Sequence, residues 1–456
     1  MEIVRKVVID VLFLLVGAAA WVAALPAQEN QENTSTQQDR EEDPSQPLHY
    51  ANYSEASTPK NILVIDFNGL TAYDDNVLGD NADRVGSAVF QGGAHIGLEE
   101  ERNRSALSLD YLPEFLYYTN VNGYNQVNQS LRFGARYDLS RHFELRFEDT
   151  GTYYTGIASP RLNENESPAS GPLPSLNNTV LIPLARELWD EGRVDAVYQM
   201  SRRSNFDFFG SAAVRNFSAI DNPLENLFNT QAFSGGLAYT YRLTATSTLG
   251  IMALHQNLRY GASLDRIESP LLTYAWQGKS GFTVSLYGGP QYVRLNDNLL
   301  LPNPPTSTTT FISVRQAADK WEGGGGANVG WRSPRTVVLG SAQRLSSDGG
   351  GIFTSVISTV ESFEIRRHVV RHWDFLVGGE NAQTTALSAL FGGAVVNTQA
   401  GSLKIEREFA GNLVAQLGYV AGRQRVSGTY PFQVDMNRNY VSLGFFYRFK
   451  RLPLGR

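Results

Sequence analysis

Asn439-Tyr-Val-Ser-Leu-Gly-Phe-Phe-Tyr-Arg-Phe-Lys450, close to the carboxyl end, alternates without a break. Val441, Leu443, Phe445, Tyr447 and Phe449 fall on one face of a strand, and Ser442, Gly444 and Arg448 on the other, because strand side chains repeat with period two. A terminal strand that is dry on one side and polar on the other suits the closure of a barrel in a membrane. Lipid offers the backbone no hydrogen bonds, so every strand edge there must find a partner.

The alternation recurs upstream. Leu131, Phe133, Ala135, Tyr137 and Leu139 interleave with Ser130, Arg132, Gly134, Arg136 and Asp138, and Phe143, Leu145 and Phe147 with Glu144, Arg146 and Glu148. Phe233, Leu237, Tyr239, Tyr241 and Leu243 oppose Ser234, Gly236, Thr240 and Arg242. Charges opposite a continuous apolar row mean one wet face and one dry face. Strands of a soluble sandwich average about 5–6 residues, whereas these runs reach about ten, the length of a tilted membrane strand. The fold predicted is all-β: a transmembrane antiparallel up-and-down barrel of about 18 strands over 61–450. Sixteen or twenty strands stay open, since 267–279 and 392–399 are weakly patterned.

Connection lengths are an independent test. Tight links at 140–141, 203–204, 243–245, 278–280, 333–334, 367–369 and 410–411 alternate with long ones at 73–86, 119–125, 156–187, 219–229, 296–318, 384–399 and 426–438. Short periplasmic turns and long outer loops are sorted this way in outer-membrane barrels, and a sandwich has no reason to sort them.

Residues 1–27 read as a secretory signal peptide: Arg5 and Lys6 at the start, an apolar run over 11–24, and Leu25-Pro26-Ala27 before the cut. Residues 28–60, rich in Gln, Asn, Glu, Ser, Thr and Pro, offer too little to bury and read as a disordered periplasmic leader. Residues 451–456 form a short extension. The chain has no cysteine, which excludes a disulfide framework, a lipidated cysteine and any thiolate metal site. A formal net charge of −6 over 456 residues argues against nucleic acid as a partner.

Two stretches carry resemblances. Ser442-x-Gly444-x-x-Tyr447-x-Phe449 resembles the C-terminal insertion signal of bacterial outer-membrane barrels, with the departure that 451–456 follow the final aromatic. Leu70-Thr-Ala-Tyr-Asp-Asp-Asn-Val77 resembles the β-barrel porin families found beside exopolysaccharide and capsule genes in Gram-negative bacteria, and the likeness continues diffusely over 61–450. The resemblance implies localisation in the bacterial outer membrane, and polysaccharide export or passive diffusion as the role. Outer-membrane lipid and the barrel assembly machinery are then the implied partners, with polysaccharide as a candidate cargo.

Candidate chemistry is sparse. Tyr73-Asp74-Asp75-Asn76 clusters oxygen ligands but lacks the spaced series of a calcium loop, so a turn is the expectation. His368 and His372 have a spacing that ligates metal only on a helix, and here they flank a turn. Gly323-Gly-Gly-Gly326 has neither the following helix nor the lysine of a phosphate loop; glycine here lets a wall bend or leaves room inside. His95, His142 and His255 have no neighbouring motif that nominates a nucleophile, so no enzyme, cofactor or metal is expected. The residues that matter most are the charges opposite the apolar rows. Arg132, Arg136, Asp138, Glu144, Arg146, Glu148, Arg193, Asp195, Asp207, Arg215 and Arg242 are expected to face a hydrated lumen of mixed sign. The leading expectation is a diffusion or export channel for hydrophilic solutes; the alternative is a structural or adhesive barrel with no open pore.

Overall fold

In the computed structural model of the chain, residues 60–155, 176, 179–182, 185–219, 227–278, 280–302, 311–370, 372–409, 412–428 and 435–454 are described. Every described residue belongs to one compact unit. The segments read from sequence as a signal peptide (1–27) and a leader (28–60), Lys60 apart, fall outside the described residues.

The strands are β1 (Lys60–Asp74), β2 (Ser87–Arg102), β3 (Ser105–Tyr118), β4 (Gln126–Ser140), β5 (Phe143–Thr155), β6 (Ala185–Gln199), β7 (Ser204–Ala219), β8 (Thr230–Arg242) and β9 (Ser247–Tyr260). They continue as β10 (Ser263–Gln277), β11 (Phe282–Pro302), β12 (Phe311–Ser333), β13 (Thr336–Gly349), β14 (Phe353–Val370), β15 (Trp373–Ala386), β16 (Val395–Phe409), β17 (Leu413–Ser427), β18 (Met436–Arg448) and the two-residue β19 (Leu452–Pro453). Each of the first seventeen pairs antiparallel with the next, and β18 returns to β1 in the register Asp66↔Arg448 to Asp74↔Tyr440. The wall is therefore closed with eighteen strands. Among the described residues the helical turns are two 3-10 turns, Asn122–Tyr124 and Ala389–Phe391, and no helix is long and apolar enough to cross a membrane.

The two faces separate as the alternation predicts. On β18, Leu443 is 46% exposed and its neighbour Ser442 6%. Phe208, Phe233, Leu249, Ile251, Leu286, Phe363, Leu403 and Leu417 continue the exposed apolar surface around the outside. Exposed rows of this extent are explained by lipid contact rather than by water. The tight turns close with short polar bonds. Across Pro334-Arg335 the Thr336 backbone N–H donates to Ser333 Oγ at 3.1 Å, and the Leu243 N–H donates to the Ser247 carbonyl at 2.9 Å.

Two outer links depart from the expected sorting. β9 turns into β10 at 261–262, where Gly261 takes a positive φ of 59°, and β13 turns into β14 at 350–352. Strands also run further than the pattern showed: β11 and β12 pair from Phe282↔Trp331 up to Pro302↔Phe311, through most of the expected 296–318 loop. The weakly patterned 267–279 and 392–399 fall mainly on β10 and at the start of β16.

The seam between the first and last strands is fastened at both ends. At the outer end, Arg438 Nε and Nη2 donate to Asp74 Oδ2 at 2.9 and 2.6 Å, both residues buried. Asp75 accepts from the Asn439 backbone N–H at 2.6 Å and from Asn439 Nδ2 at 2.7 Å, and Asn76 Nδ2 donates to the Asn437 carbonyl at 2.8 Å. The Tyr73-Asp-Asp-Asn76 stretch thus binds the last strand. At the other end β19 extends the pairing by Leu63↔Leu452 and Ile62↔Pro453, and Phe449 meets Phe67 edge-on at 5.6 Å between ring centres.

One boundary is only partly held. β13 pairs with β12 from Ser333↔Thr336 up to Gly325↔Arg344 and then leaves it, although β12 continues to Phe311 and β13 to Gly349. The parting lies within Gly323–Gly326. Glycine is needed there for close approach: a Cβ on Gly325 would lie 2.7 Å from the Tyr287 carbonyl oxygen, and one on Gly324 2.6 Å from the Gln291 side chain.

Candidate pore and its inner layer

The tight turns and both ends of the wall lie at one end of the barrel, which fixes that end as periplasmic and the long links as outer. In the periplasmic half, the face opposite the exposed apolar rows carries both signs. Arg132, Arg136 and Asp138 lie on β4 opposite Tyr137 and Leu139; Glu144, Arg146 and Glu148 lie on β5 opposite Leu145 and Phe147. Arg193 and Asp195 on β6 oppose Val194, and Asp207 on β7 opposes Phe208. The register sets Arg146 beside Asp195 and Glu148 beside Arg193. Arg146 pairs with Glu144, while Arg193 forks onto Asp195 with contacts of 2.8 and 2.5 Å. Arg242 ends β8, its backbone N–H bonded to the Arg203 carbonyl at 2.7 Å.

Arg215 is unlike the rest. It is 2% exposed on β7, with Nη1 donating to Asp348 Oδ2 at 2.8 Å and Nε 2.7 Å from Glu187 Oε1. Asp348 belongs to β13, six strands further round the wall. The contact is therefore made across the interior: having left β12, the β13–β14 hairpin folds inward. Residues 346–357 are all buried. Gln291 of β11 accepts from the Ser346 backbone N–H at 3.0 Å and from its Oγ at 3.1 Å, and donates to Ser269 Oγ at 3.0 Å. Ser355 Oγ donates to Asp265 Oδ2 of β10 at 2.6 Å. Ile357 packs with Leu258, Ile267, Val293 and Leu295 in an apolar layer between hairpin and wall. At the hairpin's tip Gly350 and Gly351 have φ of 63° and 92°, and a Cβ on Gly351 would run into the Phe217 ring.

A second strap crosses from the β5–β6 link. Leu181 exchanges bonds with Gln424 of β17, its N–H donating to Oε1 at 2.8 Å and its carbonyl accepting from Nε2 at 2.9 Å. Thr179 Oγ1 lies 2.8 Å from Thr384 Oγ1 of β15. Val180 and Ile182 cover Phe353 and Val356 of the hairpin, and Phe391 completes the cluster. The outer half of the interior thus holds an inner layer fixed to β7, β10, β11, β15 and β17.

Sequence reasoning placed Arg215 among the lumen charges and did not find its partners. Ser346-Ser-Asp-Gly-Gly-Gly351 carried a signal: polar on both strand faces and ending in three glycines, it suits neither a lipid-facing wall nor a plain turn. His95, which stood without a motif, lies between two carboxylates on neighbouring strands, Nε2 2.7 Å from Asp110 and Nδ1 3.3 Å from Asp66. Among the described residues no group of three or more His, Asp or Glu forms a metal cage. His368 and His372 instead pair separately with Asp374 at 2.9 Å and Glu408 at 3.5 Å. Of the proposed insertion signal, Ser442 and Gly444 lie on the inner face of β18, and Tyr447 and Phe449 on the outer face with their rings edge-to-face at 4.8 Å.

No protein-family model and no curated protein sequence matches the chain. Among solved structures it is similar to OpdO of Pseudomonas aeruginosa, at 11% identity over 86% of this chain and 98% of that one, with a TM-score of 0.43. It is similar too to OccAB1 of Acinetobacter baumannii, at 9% identity, 86% and 97% coverage and a TM-score of 0.43. A third, the FrpB iron transporter of Neisseria meningitidis, gives 8% identity, 86% and 83% coverage and a TM-score of 0.41. At those identities and scores the likeness decides nothing about cargo. The closed wall, its even strand number and its exposed apolar belt carry the assignment instead: this is an integral β-barrel of the bacterial outer membrane.

Proposed function

We propose that the barrel is a passive diffusion channel for hydrophilic solutes, and not an enzyme, with its limiting cross-section in the outer half. The carrying observation is the contrast between the two halves of the interior. An eighteen-stranded wall is wide enough to leave an aqueous channel. Its periplasmic half is lined by partly exposed charges of both signs, while the inner layer narrows the outer half. Mixed signs favour neutral or zwitterionic polar solutes over one class of ion. Oligosaccharide is the cargo that the resemblance of residues 70–77 implies, and Tyr447 and Phe449 are the residues we assign to recognition by the assembly machinery.

The test is single-channel recording in planar bilayers with swelling of liposomes in a monosaccharide and in oligosaccharides of rising length. Discrete conductance steps are expected, with swelling that falls as the sugar lengthens. The inner layer also favours a second reading, a structural or adhesive barrel with no open pore. Silent bilayers and the absence of swelling for every sugar would decide for it.

A further inference from the structure

We propose that the β13–β14 hairpin has two seats, the inward one seen here and a second in the wall against the free edge of β12, and that exchange between them regulates the pore. Its functional meaning rests on the channel reading above.

Four observations carry it. The first is the vacant edge. Residues 311–324 of β12 pair with β11 on one side and, among the described residues, with no strand on the other. An unpaired edge of that length within a sheet is a template for another strand.

The second is register. Partners across β12 and β13 run antiparallel without a bulge from Ser333↔Thr336 to Gly325↔Arg344. Continuing the same ladder sets Leu345 opposite Gly324, Ser346 opposite Gly323, Ser347 opposite Glu322 and Asp348 opposite Trp321. Residues 345–349 are already extended as part of β13 and paired to β14, so the hairpin needs no internal rearrangement to take that seat.

The third is the hinge. The parting falls in Gly323–Gly326, and Gly323 has nothing within 4 Å of where a Cβ would be, so the outward face there has room for the Ser346 side chain that would sit beside it.

The fourth is how the inward seat is held. Besides the apolar layer, it uses discrete polar contacts from the hairpin to the wall: Asp348 with Arg215, Ser346 with Gln291, and Ser355 with Asp265. On the extended ladder Ser346 and Asp348 share the outward face of Arg344, beside Trp321, which is 69% exposed at the outer edge of the apolar belt. Above Trp321 the outer surface of this wall turns polar, with Arg294 bonded to Asp319 at 3.3 Å. The face that leaves the interior would therefore arrive near headgroups and water rather than in the acyl region.

The experiment uses the absence of cysteine in the native chain. Two double variants of the full-length protein share one position: Gln291→Cys with Ser346→Cys bridges the inward seat, and Gly323→Cys with Ser346→Cys bridges the wall seat. A short bifunctional thiol reagent is applied to folded protein in vesicles, bridging is read on gels and by mass, and conductance is recorded before and after. Both pairs are expected to bridge, the first holding a low conductance level and the second a level several-fold higher. Arg215→Gln should shift bridging towards the Gly323 pair. Bridging of the Gln291 pair alone, with or without Arg215→Gln, would overturn the two-seat proposal and leave the channel reading standing. Bridging of both pairs with no conductance in either would keep the two seats and overturn the channel reading.

Discussion

The β18–β1 seam and the β12–β13 boundary are the two places where this wall could open, and the chain equips them in opposite ways. The seam joins strands from opposite ends of the sequence, so chain connectivity does nothing to hold it. It is fastened by a buried Arg438–Asp74 ion pair, by the Asp75 and Asn76 bonds, and below by β19. The β12–β13 boundary joins consecutive strands through a tight turn, yet its ladder stops at Gly325↔Arg344, where four glycines and a longer, more exposed Arg344–Glu322 contact of 3.6 Å stand in place of the seam's buried ion pair. Closure between distant segments needs side-chain chemistry. Closure between neighbours can be left incomplete, and here the freed hairpin fills the interior.

The largest effect tests whether the seam's outer face belongs to lipid. Leu443 faces outward on β18, while Arg344, outward on β13 at the parting, is already charged and exposed. Arginine at mid-membrane depth costs about 2–4 kcal/mol. Leu443→Arg is expected to abolish the heat-modifiable, protease-resistant form in outer-membrane fractions. An unaffected yield of folded barrel would remove the lipid assignment for β18.

Next is the fastening itself. Arg438→Gln leaves the Asp74 carboxylate buried without its cation, an uncompensated charge that destabilises the folded barrel without barring its insertion. The temperature at which the folded gel band is lost should fall markedly. Removing both charges together, Asp74→Asn with Arg438→Gln, should restore part of the loss, because no unpaired charge remains. A double variant no better than the single one would mean that the bidentate geometry matters and the charge does not.

How much of this contrast was legible in sequence follows from what each feature needs. The faces of β4, β5, β8 and β18 were readable because period-two alternation is local, and a strand number of about 18 followed from it, with sixteen or twenty left open where the pattern was weak. The seam motif was visible as Tyr73-Asp-Asp-Asn76 and its bonding was not, since Arg438, Asn437 and Asn439 lie over 360 residues away in sequence. The inward hairpin was hidden for the same reason: Arg215 and Asp348 are 133 positions apart, and on β7 alone an inward arginine looks like any lumen charge. Residues 346–351 broke the alternation, and a break says only that ordinary wall has ended. It does not say where the chain goes.

At the other boundary, Gly324→Val tests what the glycines are for. Its Cβ would lie 2.6 Å from the Gln291 side chain, the group that holds Ser346. The expected outcome is a barrel that still assembles, because pairing of β12 with β11 is intact, with looser fixing of the hairpin. Faster backbone amide exchange at Ser346, with no change at Ser442 on the seam, is the signature. Equal protection at both positions would show that the glycines serve the wall and not the hairpin.

The smallest effect belongs to the lower fastening. Truncation after Lys450 removes β19 with its two residue pairs and the Leu454 N–H bond to the Asn61 carbonyl at 2.9 Å. Exposed backbone bonds of this kind contribute about 1 kcal/mol or less each. The truncated chain should fold, with a loss of thermal stability smaller than that of Arg438→Gln, since Phe449 still meets Phe67. It also places Phe449 almost at the carboxyl terminus, where the insertion signal it resembles usually lies. If that resemblance governs assembly, the truncated chain should insert at least as fast as the full chain, while Phe449→Ala in either background should slow insertion. A truncation that inserts more slowly while Phe449→Ala has no effect would assign assembly to β19 and not to the aromatic pair Tyr447 and Phe449 at the end of β18.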